Sequence, residues 1–161
     1  MFTNFEIMPS SSKPKVCFFF ENVKISLNNR SGLKGFIESI FRKEKKKLKS
    51  LNYIFCKDSH LLKINQEYLN HDFYTDIISF DLSEKEGGVL GEIYISIDRV
   101  RENSKKLGIP LSKELRRVIF HGALHLCGYR DNTYAEIIRM RKVEEYYLNI
   151  YLQVSRDTVS C

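Results

Sequence analysis

Two histidines, His121 and His125, stand four residues apart in the stretch Phe120-His-Gly-Ala-Leu-His-Leu-Cys-Gly-Tyr-Arg-Asp131. On a helix this spacing puts both imidazoles on one face, one turn apart, within reach of a shared ion. Neutral imidazole nitrogens are good ligands for a borderline divalent cation. The helical pattern breaks at Gly128, and a turn there can bring Asp131 back toward the same face as an oxygen ligand. Two His and one carboxylate leave a coordination position for water, the arrangement of a catalytic zinc site rather than a closed structural one. The competing reading of a bare HxxxH is two polar residues on a half-buried helix face. Gly122 follows His121, so the motif is not HExxH and lacks that motif's Glu base.

The elements that must carry these residues follow from hydrophobic periodicity. Val16 to Phe20 is a short apolar run and reads as a strand. Leu33, Phe36, Ile37, Ile40 and Phe41 share one helix face, with Asn29 or Ser31 as cap and a Lys run at the end. Leu51 to Cys56 reads as a second strand. A short helix then starts at Asp58 or Ser59 and buries Leu61, Leu62 and Ile64, while residues 65–74 look polar and irregular. Strands at Thr75–Phe80 and Val89–Ile97 are joined by a short turn and should pair antiparallel. A helix from Ile97 through Val100 and Leu107 is stopped by Gly108 and Pro110, and the histidine helix begins near Ser112, a simple N-cap with Glu114 in the first turn. A last helix carries Ile137, Ile138, Met140, Val143, Tyr147 and Leu148. The expected fold is α+β, a four-stranded mixed β-sheet packed with four to five α-helices, with the metal site at the end of the HxxxH helix. Residues 1–15 read as a flexible lead-in, 16–153 as a single domain and 154–161 as a polar C-terminal tail.

A chain of 161 residues, 43% of them apolar, is the size of one domain with a real core. Its nine Tyr and eleven Phe argue against disorder. No run approaches 18 apolar residues, so no membrane span is expected. The first residues form neither a basic nor a long apolar segment, and the cysteines (Cys17, Cys56, Cys127 and Cys161) have no CxxC spacing. The expectation is a cytoplasmic protein with reduced thiols and no membrane partner. Charge is uneven: residues 1–50 hold eleven Lys or Arg against four Asp or Glu, and the remainder fifteen against sixteen. The excess centres on Arg42, Lys43, Lys45, Lys46, Lys47 and Lys49. Such a patch suits an anionic partner such as an RNA backbone, its plain alternative being a solvated helix end.

The stretch His121 to Tyr129, together with Thr75-Asp-Ile-Ile-Ser-Phe80 and Gly91-Glu-Ile-Tyr-Ile-Ser96, resembles the YbeY family of bacterial metallo-endoribonucleases. The likeness runs from about Phe20 to Tyr147. It implies an α+β fold with a zinc-type site and cleavage of single-stranded RNA, not DNA. It also implies roles in 16S ribosomal RNA 3′-end maturation on the small ribosomal subunit and in ribosome quality control. The family's first two metal histidines fall on His121 and His125. Its motif continues Gly-Tyr-Asp-His, whereas this chain has Gly128-Tyr129-Arg130-Asp131, which puts Asp131 at the third-ligand position. A carboxylate hardens the ligand set; zinc remains the default ion, with manganese or nickel as alternatives. In a slipped alignment Asp131 would match the family's Asp, and the third ligand would be lost.

A second departure is Leu69, where the family has an Arg thought to contact the RNA backbone. A substitute contact would come from His71, Arg116 or Arg130. The implied chemistry is phosphodiester hydrolysis by metal-activated water. Asp76, Ser79 and Glu92 are candidate neighbours of the site, each with a plain strand role as its alternative, and no general base can be named. Cys127 reads as a small buried hydrophobe. The competing functions are an RNA-binding ribosome factor with little catalysis, and a metal-dependent hydrolase of a peptide or small amide.

Overall fold

The computed structural model describes residues 13–159; residues 1–12 of the expected lead-in and 160–161 of the expected tail lie outside them. Chain order is β1 (Val16–Phe20), α1 (Arg30–Lys43), β2 (Leu48–Cys56), α2 (Asp58–Leu69), β3 (Ile77–Asp81), β4 (Val89–Ser96), α3 (Ile97–Leu107), α4 (Leu111–Leu126) and α5 (Tyr134–Val159). The sheet order is β1-β2-β4-β3. β1, β2 and β4 are parallel, as helical crossovers require, and the β3–β4 hairpin is antiparallel. This is the mixed α+β sheet the sequence pattern implies.

Alternation along the strands gives the sheet two different faces. One carries Leu51, Tyr53, Phe55, Ile93 and Ile95 into the main core with residues of α1, α4 and α5. The other carries Cys56, Ile78, Phe80 and Tyr94 against Leu61 and Ile64 of α2. Helix α4 is central, packing on β3, β4, α1, α3 and α5. Gly122 allows its approach to the sheet: a Cβ there would lie 2.9 Å from both Ile77 Cδ1 and Ile93 Cδ1. The helix that bears the histidines is thereby seated against the β3 edge.

Several expected boundaries move, each for a local reason. α2 runs through to Leu69, because Asn65 is buried and satisfied, and it stops where Asn70 turns left-handed at φ 53°. β2 starts at Leu48, whose burial extends the strand, so Lys49 lies on β2 and not at the helix end. α1 is capped by the Asn29 side chain, which accepts from the Gly32 N–H. Thr75 and Asp76 precede β3. Pro110, not Ser112, occupies the N-cap of α4, while Glu114 stands in the first turn as expected and faces inward to Arg117. α5 continues to Val159, through most of the segment read as a tail.

Candidate metal centre and substrate cleft

His121 and His125 lie in the last two turns of α4, and Cys127 ends the helix. Gly128, at φ 105°, adopts a conformation that side chains disfavour and swings the next residues back over the helix end. Tyr129 N–H closes this turn on the Leu124 carbonyl. Asp131 consequently returns to the histidine face, with Oδ2 3.3 Å from Nε2 of both His121 and His125. The two Nε2 atoms are 2.9 Å apart. Donors bound at zinc-type distances in a tetrahedron are separated by roughly 3.4 Å, so the group needs little adjustment to hold one ion.

The outer nitrogens decide what the inner ones can do. His125 Nδ1–H donates to the Tyr129 carbonyl at 3.0 Å, and a carbonyl can only accept. His121 Nδ1–H donates to Glu144 Oε1. With both protons held on the outer sides, two imidazole lone pairs and a carboxylate oxygen converge with no proton between them. Three electron-rich atoms at this spacing call for a cation, and the donor set fits a divalent metal. Burial, with the neighbouring His121 adding to it, pushes the His125 imidazole below its ordinary range despite Asp131 and the Tyr129 carbonyl. Its lone pair is free for a metal at neutral pH.

Glu144 is the functional residue that sequence reasoning missed. It is 3% exposed on α5, in line with buried Met140, Tyr147 and Tyr151. Those positions form one apolar helix stripe, and a Glu on it was the available signal. Its second oxygen accepts from Arg117 Nη1 at 3.3 Å, and Arg117 grips buried Glu114 with bonds of 2.7 and 2.9 Å. Burial opposes the Arg117 charge, yet its bond to Glu114 and the charges of Glu144, Glu114 and Asp76 hold its pKa above the ordinary value. This chain of charges fixes Glu144, and Glu144 fixes the tautomer and plane of His121. We expect Glu144→Gln to weaken zinc binding roughly 10- to 100-fold, the usual cost of an outer hydrogen-bond partner of a ligand histidine. Titration with a competing chelator would show it, and parent-like affinity would mean that His121 is held without Glu144.

The His121, His125 and Asp131 group opens on a cleft of about 610 Å³ whose walls come from β3, the end of α2 and the loop after α4. His71, Asp76, Ser79 and Arg130 all line it, as does Leu69. Asp76 Oδ2 accepts from Asn103 at 3.3 Å and lies 3.8 Å from Arg117. Ser79 pairs with Ile93 across the hairpin, which puts it on the α4 face, and its Oγ is buried with no hydrogen-bond partner. Arg130 is the one Lys or Arg among the described cleft-lining residues. Two candidates fall elsewhere. Glu92 lies on the α2 face of the sheet, where strand alternation must send it, and accepts from the Tyr94 hydroxyl at 3.2 Å. Arg116 stacks over the Tyr151 ring, 5.3 Å from its centroid, on the side of α4 that meets α5. Burial and then Glu44 push the Cys127 thiol up to about 12, which suits its reading as a small hydrophobe.

The basic residues are split by the turn. Arg42 and Lys43 end α1, Lys45 to Lys47 form the connection and Lys49 is on β2, all of them exposed. Between them Glu44 accepts from the Tyr129 hydroxyl at 3.0 Å and the Tyr147 hydroxyl at 2.5 Å. The basic turn is thereby tied to the loop that carries Arg130 and Asp131.

The Endoribonuclease YbeY family model matches residues 19–152. The chain belongs to this family. It is 44% identical over 139 residues to the endoribonuclease YbeY of Cytophaga hutchinsonii, covering 86% of this chain and 97% of that protein. The endoribonuclease YbeY of Flavobacterium psychrophilum is 42% identical over 136 residues, covering 84% and 96% respectively. A solution structure from Thermotoga maritima superposes with a TM-score of 0.61 at 26% identity, over 89% of this chain and 93% of that one. In this YbeY-family chain, the position where the resemblance places a third histidine holds Asp131, within 3.3 Å of both imidazoles.

Proposed function

We propose that the chain is a metal-dependent endoribonuclease that hydrolyses single-stranded RNA, with His121, His125 and Asp131 holding one zinc ion. The observation that carries this reading is the convergence of two tautomer-fixed imidazoles and a carboxylate at the cleft of a YbeY-family fold. A zinc ion held by these three residues would supply a Lewis acid and acidify water. The chain's own residues position the substrate around that centre. Arg130 neutralises a phosphate oxygen, replacing the cation absent at Leu69. The Ser79 hydroxyl, buried and unbonded, donates to a second phosphate oxygen. Asp76, one of the carboxylates lining the cleft, takes a proton. The exposed basic turn from Arg42 to Lys49 holds the strand's backbone beyond the cleft.

The natural substrate in this reading is ribosomal RNA of the small subunit, in the cytoplasm, as the family resemblance implies. In keeping with this, among the described residues no helix is long and apolar enough to cross a membrane. The test is internal cleavage of an unstructured RNA by zinc-loaded protein, lost on chelation, restored by zinc and much slower on a duplex. Binding measured across salt should lose part of its slope when Lys45, Lys46 and Lys47 become Gln, by roughly 0.7 logarithmic units per phosphate released. A loaded site without cleavage would overturn the nuclease reading, and an unchanged slope would return the turn to a solvated helix end.

A further inference from the structure

The loop between α2 and β3 places aromatic rings in the open where a folded chain would ordinarily bury them. Phe73 is 56% exposed, and its ring stacks on His71 with centroids 5.1 Å apart and planes 23° from parallel. Both rings line the cleft that contains His121, His125 and Asp131. The arrangement is held from beneath. Asn65, 1% exposed, accepts from the His71 N–H at 3.1 Å and donates its side-chain amide to the Phe73 carbonyl at 2.9 Å. Gln66 donates to Asp72 at 2.6 Å, and Arg99 lies over the Tyr74 ring, 4.5 Å from its centroid. The buried side-chain amide of Asn65 thus fixes the Phe73 backbone, and the Asn65 backbone carbonyl fixes that of His71.

We propose that His71 and Phe73 form a base-stacking subsite, which takes an unpaired nucleobase next to the phosphate to be cut. This inference rests on the ribonuclease reading and extends it to how the strand is recognised. A preformed pair of near-parallel rings continues the stack of a single strand and loses little entropy when a base adds to it. Every base has a π-face, so the subsite is tolerant of sequence. Bases inside a duplex are already stacked on both sides and cannot use it. The subsite therefore selects single strands at the point where the strand meets the metal group, and Leu69 beside it adds apolar floor without charge.

The experiment uses zinc-loaded protein and a nuclease-resistant phosphorothioate oligoadenylate carrying one 2-aminopurine, alone and annealed to its complement. On the parent, binding the single strand should change the 2-aminopurine fluorescence as that base stacks. Phe73→Ala should weaken single-strand binding roughly 5- to 100-fold and abolish the fluorescence change. Its zinc content should match the parent, since the replaced ring is exposed. Phe73→Trp and His71→Phe, which keep a ring but alter size or charge, should retain both signals. Equal loss of single-strand and duplex binding in Phe73→Ala would overturn the stacking subsite in favour of a backbone contact. Unchanged affinity and fluorescence in that variant would overturn it too and leave the patch to a protein partner. A parent that takes up zinc yet neither binds nor cleaves RNA would instead refute the underlying nuclease reading.

Discussion

His121→Ala and His125→Ala should each abolish stoichiometric zinc binding, and RNA cleavage with it. Each variant removes a nitrogen from a three-donor group, so the loss should exceed the roughly 10- to 100-fold that follows removal of an outer partner such as Glu144. The fold should survive, because α4 is held by Leu115, Val118, Ile119, Phe120, Ala123 and Leu124, all essentially inaccessible. Removing one imidazole also relieves the close approach of the two Nε2 atoms, which are 2.9 Å apart. The thermal midpoint of the metal-free variants should thus lie close to that of the metal-free parent. Zinc should raise the parent's stability by about 2.7 kcal/mol at a hundredfold excess over its dissociation constant and leave the variants unmoved. Elemental analysis and paired melts with and without zinc check both statements. Unchanged stoichiometry in both variants would place the metal elsewhere.

Asp131 is the second decisive position, because here the chain departs from the ligand pattern it resembles. Asp131→Ala should weaken zinc binding by roughly tenfold or more, since an anionic donor is lost and water must take its place. Asp131→His should retain binding, as a third imidazole suits a borderline ion. Neither change should cost more than about 1 kcal/mol of metal-free stability, because the side chain is partly exposed and its contacts are to the two ligand histidines. The measurement is zinc affinity and cleavage rate for parent, Asp131→Ala and Asp131→His in one buffer series. Parent-like values in Asp131→Ala would remove this carboxylate from the ligand set and favour the slipped alignment.

Most of the fold was legible because its determinants are local. The 3.6-residue stripe of α1, the alternation of β3 and β4, and the short turn between them each specify an element without reference to the rest of the chain. Boundaries failed where a long-range contact decided them. α2 outlasts its apolar pattern because Asn65 finds its partner in Phe73, eight residues on, and β2 begins early because Leu48 reaches the core. Ser112 lost the capping role because Pro110 already starts α4.

The candidate site divides along the same line. Sequence by itself determined the pair His121 and His125, since four-residue spacing on a helix is a local constraint, and it marked Asp131 through the break at Gly128. Only the tertiary structure decided that Asp131 closes on both imidazoles, that Glu144 reaches across from α5 to His121, and that Ser79 enters the cleft while Glu92 does not. The β3–β4 register pairs Ser79 with Ile93, the neighbour of Glu92, so the two residues lie on opposite faces of the sheet. Which face meets α4 depends on how the sheet is packed, and no local pattern states it. The physical reason is common to all three cases: backbone geometry sets which side chains share a face, but burial of the whole core sets which faces meet.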